Sequence, residues 1–317
     1  MRVRLGYVAI ALGLPHTTSS GNVTYKYYQK LKAEEKINKL KQVTYANLMA
    51  LKQILEYNQK KEIHFYRITS ALVPLGTHPE VNWDYRPIFN VEFKMLGDLL
   101  RESKMRVDTH PDQFNVLNSL DEQIVQNTQR NLWFHVRLFQ DLGYPHPKMV
   151  LHVGSAAGGK KVALERFMDN FRRFPDEITR CLILENDDKS FTAKETLGLC
   201  QKLGIPMVLD VHHHLCNNEG EALKQLLPEI LHTWRGEALP AKIHFSSPKD
   251  GAKDKKHADY IDAGSFVEFL ELCQPFNQDI DVMIEAKKKD SALFKLADSI
   301  RYLRKDWIWR DASTFEL

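Results

Sequence analysis

Short apolar runs recur along the chain, separated by longer stretches in which apolar residues return every three or four positions. The runs fall near 2–9, 63–68, 105–110, 148–153, 181–185, 206–211, 241–246 and 280–285. Rich in Val, Ile and Leu, they read as buried strands. The stretches near 31–59, 90–103, 121–142, 160–173, 191–203, 219–234, 264–273 and 290–304 read as helices. Ser119-Leu-Asp121-Glu122 and the capping box Thr192-Ala-Lys-Glu195 mark helix starts, and Gly143, Gly204 and Gly236 stand where helices should stop. Strict alternation of eight strand–helix units predicts an α/β fold, a (β/α)8 barrel occupying 1–317 as one domain. A doubly wound open sheet would gather its ligand site at one switch point. Here the chemistry-bearing residues are spread over six strands, which favours the barrel.

Those six strands share one phrase: an apolar run that ends in a metal-ligand residue. In order they are Met-Arg-Val-Asp-Thr-His110, Met-Val-Leu-His152, Leu-Ile-Leu-Glu185, Met-Val-Leu-Asp210, Lys-Ile-His244 and Val-Met-Ile-Glu285. Ionisable groups are costly to bury unless paired or coordinated. One such strand end has a bland reading, a satisfied core histidine or a structural ion pair; six converge on a shared polynuclear metal site. The ends of barrel strands that carry chemistry are the C-terminal ones, and every candidate lies there. His213, three residues beyond Asp210, and His257, beyond His244, extend the set. Glu185, Asp210 and Glu285 offer carboxylates able to bridge cations. A mixed imidazole and carboxylate set suits two or three divalent ions, manganese first, with magnesium, cobalt or zinc as alternatives. Such ions clamp a phosphodiester, activate water and stabilise a departing oxyanion. His212 and His214 flank His213 and read as supporting or exposed; Asp108 shares strand parity with His110 and reads as its orienting partner or as a barrel-interior residue. Lys242 shares parity with His244, so it faces the interior as a neutral amine, a carboxylate-paired ammonium or a carboxylated lysine.

Composition changes this picture little. The 317 residues are 43% hydrophobic and 27% charged, with a formal net charge of +3, enough for a large core and neutral as to partners. Cys181, Cys200, Cys216 and Cys273 form no C-x-x-C pair. Arg2-Val-Arg4 leads directly into an apolar strand with no signal peptide pattern, and no run is long enough to cross a bilayer. The expectation is an intracellular, cytoplasmic enzyme with no membrane and no obligate protein partner. Lysine clusters do matter. Lys160-Lys161, Lys249 with Lys253, Lys255 and Lys256, and Lys287-Lys288-Lys289 follow three of the ligand strands. A single cluster reads as a solvated loop; three on the ligand face favour a polyanion, nucleic acid, across the mouth.

With those residues in place, the chain resembles the ultraviolet damage endonuclease family of UvdE/UvsE-type DNA repair enzymes. The resemblance runs from Arg4-Leu-Gly6-Tyr7 through Arg67-Ile-Thr-Ser70, Pro74, His78-Pro79, His110-Pro111-Asp-Gln113-Phe114 and Leu151-His152-Val-Gly154. It continues through Leu184-Glu185-Asn186-Asp187, Asp210-Val-His-His213, Lys242-Ile-His244-Phe-Ser246-Ser247-Pro248, His257-Ala-Asp259 and Ile284-Glu285-Ala-Lys287. It implies a TIM barrel related to endonuclease IV and the sugar isomerases. It also implies double-stranded DNA as partner, incised 5′ to cyclobutane pyrimidine dimers, (6-4) photoproducts and some abasic sites. By the same resemblance His110, His152, Glu185, Asp210, His213, His244, His257 and Glu285 are metal ligands, with Glu185, Glu285 and Lys242 as catalytic residues. Gln113 and Phe114 match the pair that probes the duplex, Phe114 replacing a frequent Tyr, and Tyr7 matches a lesion-contacting aromatic. Relatives commonly carry Asn near Tyr7, where this chain reads Val8-Ala9-Ile10-Ala11. Lys255 and Lys256 are the expected phosphate contacts. The competing readings are a metal-dependent sugar isomerase, which has no need of an exposed Gln113-Phe114, and a non-catalytic nucleic-acid-binding module, which has no need of converging ligands.

Overall fold

The computed structural model describes residues 1–317, and its first eight strands close into a parallel barrel. They are β1 (Arg2–Val8), β2 (Phe65–Ile68), β3 (Arg106–Thr109), β4 (Met149–His152), β5 (Leu182–Glu185), β6 (Met207–Asp210), β7 (Ala241–Phe245) and β8 (Ile280–Ile284). Each pairs with the next, and β8 closes on β1 from Val3↔Ile280 to Tyr7↔Ile284. All eight lie inside the predicted runs, since continuous apolar stretches are what a sheet buried on both faces demands.

Eleven helices surround the strands: α1 (Tyr25–Lys30), α2 (Ala33–Lys60), α3 (Asn90–Ser103), α4 (Glu122–Asp141), α5 (Lys160–Arg173), α6 (Asp176–Thr179), α7 (Ala193–Leu203), α8 (Val211–Cys216), α9 (Leu223–His232), α10 (Ala263–Cys273) and α11 (Lys289–Leu303). Thr192 and Glu195 form the predicted capping box of α7, and Gly204 ends that helix in the left-handed conformation. The short helices α1, α6 and α8 go beyond the predicted pattern. So does the C-terminal hairpin of β9 (Ile308–Trp309) and β10 (Thr314–Glu316), whose β10 lies antiparallel to Arg2–Arg4 of β1. The hairpin covers the lower edge of β1 that β2 leaves free, because β2 pairs only with Gly6–Val8. An open edge would otherwise template aggregation.

The barrel interior is layered by charge. At the bottom Asp281 accepts from Arg4 and from the fully buried Arg106, each at 2.6 Å. Above it Lys242 and Asp108 pair at 2.6 Å, both completely buried. Gly6 is required here: a Cβ would lie 2.5 Å from the Phe65 carbonyl oxygen. The Phe65 ring fills that space and lies under the cations of Arg106 and Lys242, at 4.8 and 5.6 Å. The top layer is the site.

Candidate metal centre

Strand parity brings one donor from each of β3 to β8 to the upper opening. The donors fall into three groups, each with its ligand atoms within 4.8 Å of one another: His110, His152 and Glu185; Glu185, Asp210 and His213; Asp210, His244 and Glu285. Seven of the eight expected ligands therefore converge, and Glu185 and Asp210 are each common to two groups. Glu185 lies closest to the centre: Oε2 is 2.9 Å from His110 Nε2 and 3.6 Å from His152 Nε2, while Oε1 is 2.8 Å from His244 Nδ1 and 3.5 Å from His213 Nδ1.

His213 is selected from its run of three histidines by a helix cap. Asp210 ends β6 and accepts the His213 amide at 2.8 Å, which starts α8 directly at the strand end. That turn points His213 inward. His212 is buried instead between Ser246 Oγ and the Asp254 carbonyl, both at 2.8 Å, and His214 is buried too, so neither is exposed.

Without an ion the protonation of the site is mixed: burial would lower His213, but Asp210 and then Glu185 outweigh it and raise it to about 9. Burial lowers His244 to about 4 and also lowers His152, leaving neutral imidazoles, the form that donates to metal. Burial would raise the Glu185 carboxyl, but His244, His152 and His110 outweigh it and hold it well below the usual range. Burial lifts Asp210 to about 8 against the pull of His213, and its Oδ2 is buried with no hydrogen-bond partner. Such an oxygen is costly unless coordinated. A divalent cation would satisfy it, so the donor set fits a metal site. Ligands that bind only the folded state stabilise it by ~2.7 kcal/mol at a hundredfold excess over Kd. Manganese added to chelator-treated protein should raise Tm by roughly 5 °C in a thermal melt; an unmoved Tm would contradict the assignment.

Other expected residues sit elsewhere. His257 lies outside the three groups: its Nδ1 hydrogen-bonds the Glu285 carbonyl at 2.8 Å, which ties the ring to the rim loop and leaves Nε2 free. Lys242 is not at the reacting face; it is fully buried one layer below His244, where burial against the opposing pull of Asp108 lowers it to about 7. Its Nζ lies 2.6 Å from Asp108 Oδ2. Asp108 serves Lys242 and not His110, whose Nδ1 faces the Pro111 carbonyl at 3.0 Å. Tyr7 does not contact the opening. In a strand buried on both faces its odd position points outward, where the hydroxyl donates to Asn58 under α2 at 2.6 Å. Its fully buried ring cannot touch a lesion.

The mouth itself is a cavity of about 560 Å³ whose walls include Arg67, His110, Gln113 and His152. Phe114 beside it is 77% exposed, so it does not pack under its loop. The loop is nonetheless fixed: Asp112 accepts the Phe114 amide at 2.9 Å, and Asn131 of α4 donates to Asn115 at 2.9 Å. Lys256 is exposed and Lys255 pairs with Asp188 at 3.3 Å. Arg67 is the residue that sequence reasoning missed as a site group. Buried at the end of β2, it donates to Glu285 Oε1 at 2.7 Å and to His244 Nε2 at 2.6 Å, orienting two of the candidate donors. Its signal was available, since it too is a charged inward position closing an apolar run.

A closed (β/α)8 barrel with imidazoles and carboxylates converging at its C-terminal mouth defines a metal-site barrel enzyme. The UV-endonuclease UvdE family matches residues 3–308. UV DNA damage endonucleases of Bacillus cereus (strain B4264) and Bacillus mycoides (strain KBAB4) are 38% and 39% identical over 305 residues, 96% of this chain and 96% of theirs. The crystal structure of SacUVDE superposes with a TM-score of 0.84 at 32% identity, covering 96% of this chain and 99% of that one. Endonuclease IV from Thermus thermophilus shares the fold alone, at a TM-score of 0.54 and 13% identity over 89% of this chain and 91% of its own. The chain belongs to the UV-endonuclease UvdE family and is an enzyme of the endonuclease class.

Proposed function

We propose that this protein is a divalent-metal-dependent DNA repair endonuclease. It hydrolyses the phosphodiester 5′ to cyclobutane pyrimidine dimers, (6-4) photoproducts and some abasic sites in double-stranded DNA inside the cell. The whole chain works as one barrel unit, with manganese the favoured metal. The observation that carries this reading is the convergence of seven donors at a mouth flanked by an exposed aromatic on a fixed loop, in a chain of this family.

His110, His152, Glu185, Asp210, His213, His244 and Glu285 would hold the ions, with His257 at the rim. Ions so held supply positive charge to the scissile phosphate and lower the pKa of water. Arg67 holds Glu285 and His244 in place and adds a buried positive charge beneath them. Burial would raise Glu285, but Arg67 and then His244 depress it, so it stays ionised. The Lys242–Asp108 pair supports His244 from below through the barrel interior. No helix is long and apolar enough to cross a membrane.

The test is nicking of ultraviolet-irradiated supercoiled plasmid with manganese and with chelator, followed by mapping of the cut on a duplex with one dimer. Cleavage of irradiated DNA alone, 5′ to the dimer, supports the proposal. Intact plasmid alongside aldose–ketose conversion would overturn it. Phosphate contacts should also show in salt dependence, each worth a slope of about 0.9 in log K against log salt. Lys256→Ala should lower that slope by roughly one with lesion preference unchanged. Lys255 should contribute less, because it must first leave Asp188. An unaltered slope in Lys256→Ala would return that lysine to a merely solvated role.

A further inference from the structure

The connection from β8 to α11 carries a half-buried lysine that forms no ion pair. Lys289 opens α11, four residues beyond Glu285, with its backbone in the left-handed region at φ 47°. An L-residue with a Cβ rarely takes that conformation, and where one does a function is worth seeking. Here the neighbours enforce it. The amides of Lys287 and Lys288 donate to the carbonyls of Ala258 and Asp259, both at 3.1 Å, and the Lys289 amide returns to Ala286 at 3.2 Å. The next residue, Asp290, is buried and accepts the amides of Leu12 at 2.7 Å and Gly13 at 2.9 Å and the Tyr57 hydroxyl at 2.8 Å. Lys289 is thus held between two rim loops that are themselves fastened.

Its side chain differs from those of the two lysines before it. Lys287 and Lys288 are exposed, whereas Lys289 is half-buried. Burial, and then Arg67, pull its ammonium below the ordinary lysine range while Glu285 pushes it back, with no hydrogen bond among the influences on it. Glu285 is already engaged at 2.7 Å by Arg67. A half-buried ammonium beside the donor cluster in sequence, with no ion pair of its own, stands to gain from an arriving anion.

Resting on the nuclease reading, the geometry points to Lys289 as a substrate-binding residue whose ammonium takes a non-bridging oxygen of a phosphate next to the scissile one on the incised strand. The fastened loops hold Lys289 at the rim, four residues beyond Glu285. Lys287 and Lys288 remain solvated.

The test compares wild type with Lys289→Asn, which tolerates the left-handed backbone, and Lys289→Arg, which keeps the charge. Single-turnover incision of a duplex with one dimer should fall roughly tenfold to a hundredfold in Lys289→Asn, the loss of one charge-assisted contact. Lys289→Arg should recover most of it, with bound metal and Tm unchanged in both. Duplexes made neutral by methylphosphonate at each phosphate flanking the scissile bond locate the contact. At one position the wild type should slow to the rate of Lys289→Asn, and Lys289→Asn should slow no further. Wild-type rates in Lys289→Asn, or a defect that no methylphosphonate position closes, would overturn the inference while leaving the nuclease reading intact. Failure of the wild type itself to nick irradiated DNA would take down both.

Discussion

Glu185→Gln is expected to abolish incision, a loss of roughly three orders of magnitude or more in single-turnover rate, equivalent to several kcal/mol of lost charge stabilisation. The carboxylate reaches His110, His152, His213 and His244 within 3.6 Å and belongs to two of the three donor groups. Asp210 shares the two-group membership, but no other carboxylate lies so near four imidazoles. Gln keeps the shape and removes the charge, so the imidazoles remain while the anion that balances the cations does not. Bound divalent metal, measured on purified protein, should fall with activity. Binding of damaged duplex through the mouth loops should survive, because those contacts lie outside the donor cluster. Removing a buried charge that three histidines stabilise will also shift stability, so the melt must be recorded in the same buffer. A folded Glu185→Gln protein that nicks irradiated plasmid at the normal rate would defeat the assignment outright.

The barrel was legible because its strands are buried on both faces and are read as unbroken apolar runs. The candidate donors were legible because an ionisable residue closing such a run is anomalous six times over. What failed to show in the sequence depends on relations between strands. Lys242 has the parity of His244, but only the stacking of interior layers sets it fully buried below the donors, against Asp108. Tyr7 lies at the mouth end of β1 in sequence, yet its parity sends it outward to Asn58. The pleat that turns Gly6 toward the barrel interior turns Tyr7 away from it. Arg67 has no place among His, Asp and Glu donors; its role, orienting Glu285 and His244, exists only once β2, β7 and β8 are brought together. The C-terminal hairpin has no strong periodicity of its own; it exists because β2 leaves half an edge of β1 unpaired.

Phe114→Ala is expected to lower discrimination between damaged and intact duplex by roughly ten- to a hundredfold, while bound metal and Tm stay where they are. Dimerised pyrimidines stack and pair poorly, so opening the duplex there costs less than at intact bases. A protein exploits that difference only by filling the gap the displaced bases leave. An aromatic ring does so at ~1–3 kcal/mol per stacked base, which sets the size of the predicted loss. Phe114 meets the geometric requirement: it is 77% exposed, while Asp112, Asn115 and Asn131 hold its loop beside His110. Exposure also makes the experiment clean, since surface truncation away from a packed core usually changes stability by no more than about 0.5 kcal/mol. Gln113 is exposed on the same loop and can hydrogen-bond bases left unpaired, so Gln113→Ala should add to the loss. Competition binding of one labelled damaged duplex against damaged and undamaged competitors measures the ratio directly. A parallel weakening on both would mean that Phe114 contributes general affinity, and the probing role would be wrong. Loss confined to the damaged duplex, with metal unchanged, requires a ring that enters the helix only where the lesion has already weakened it.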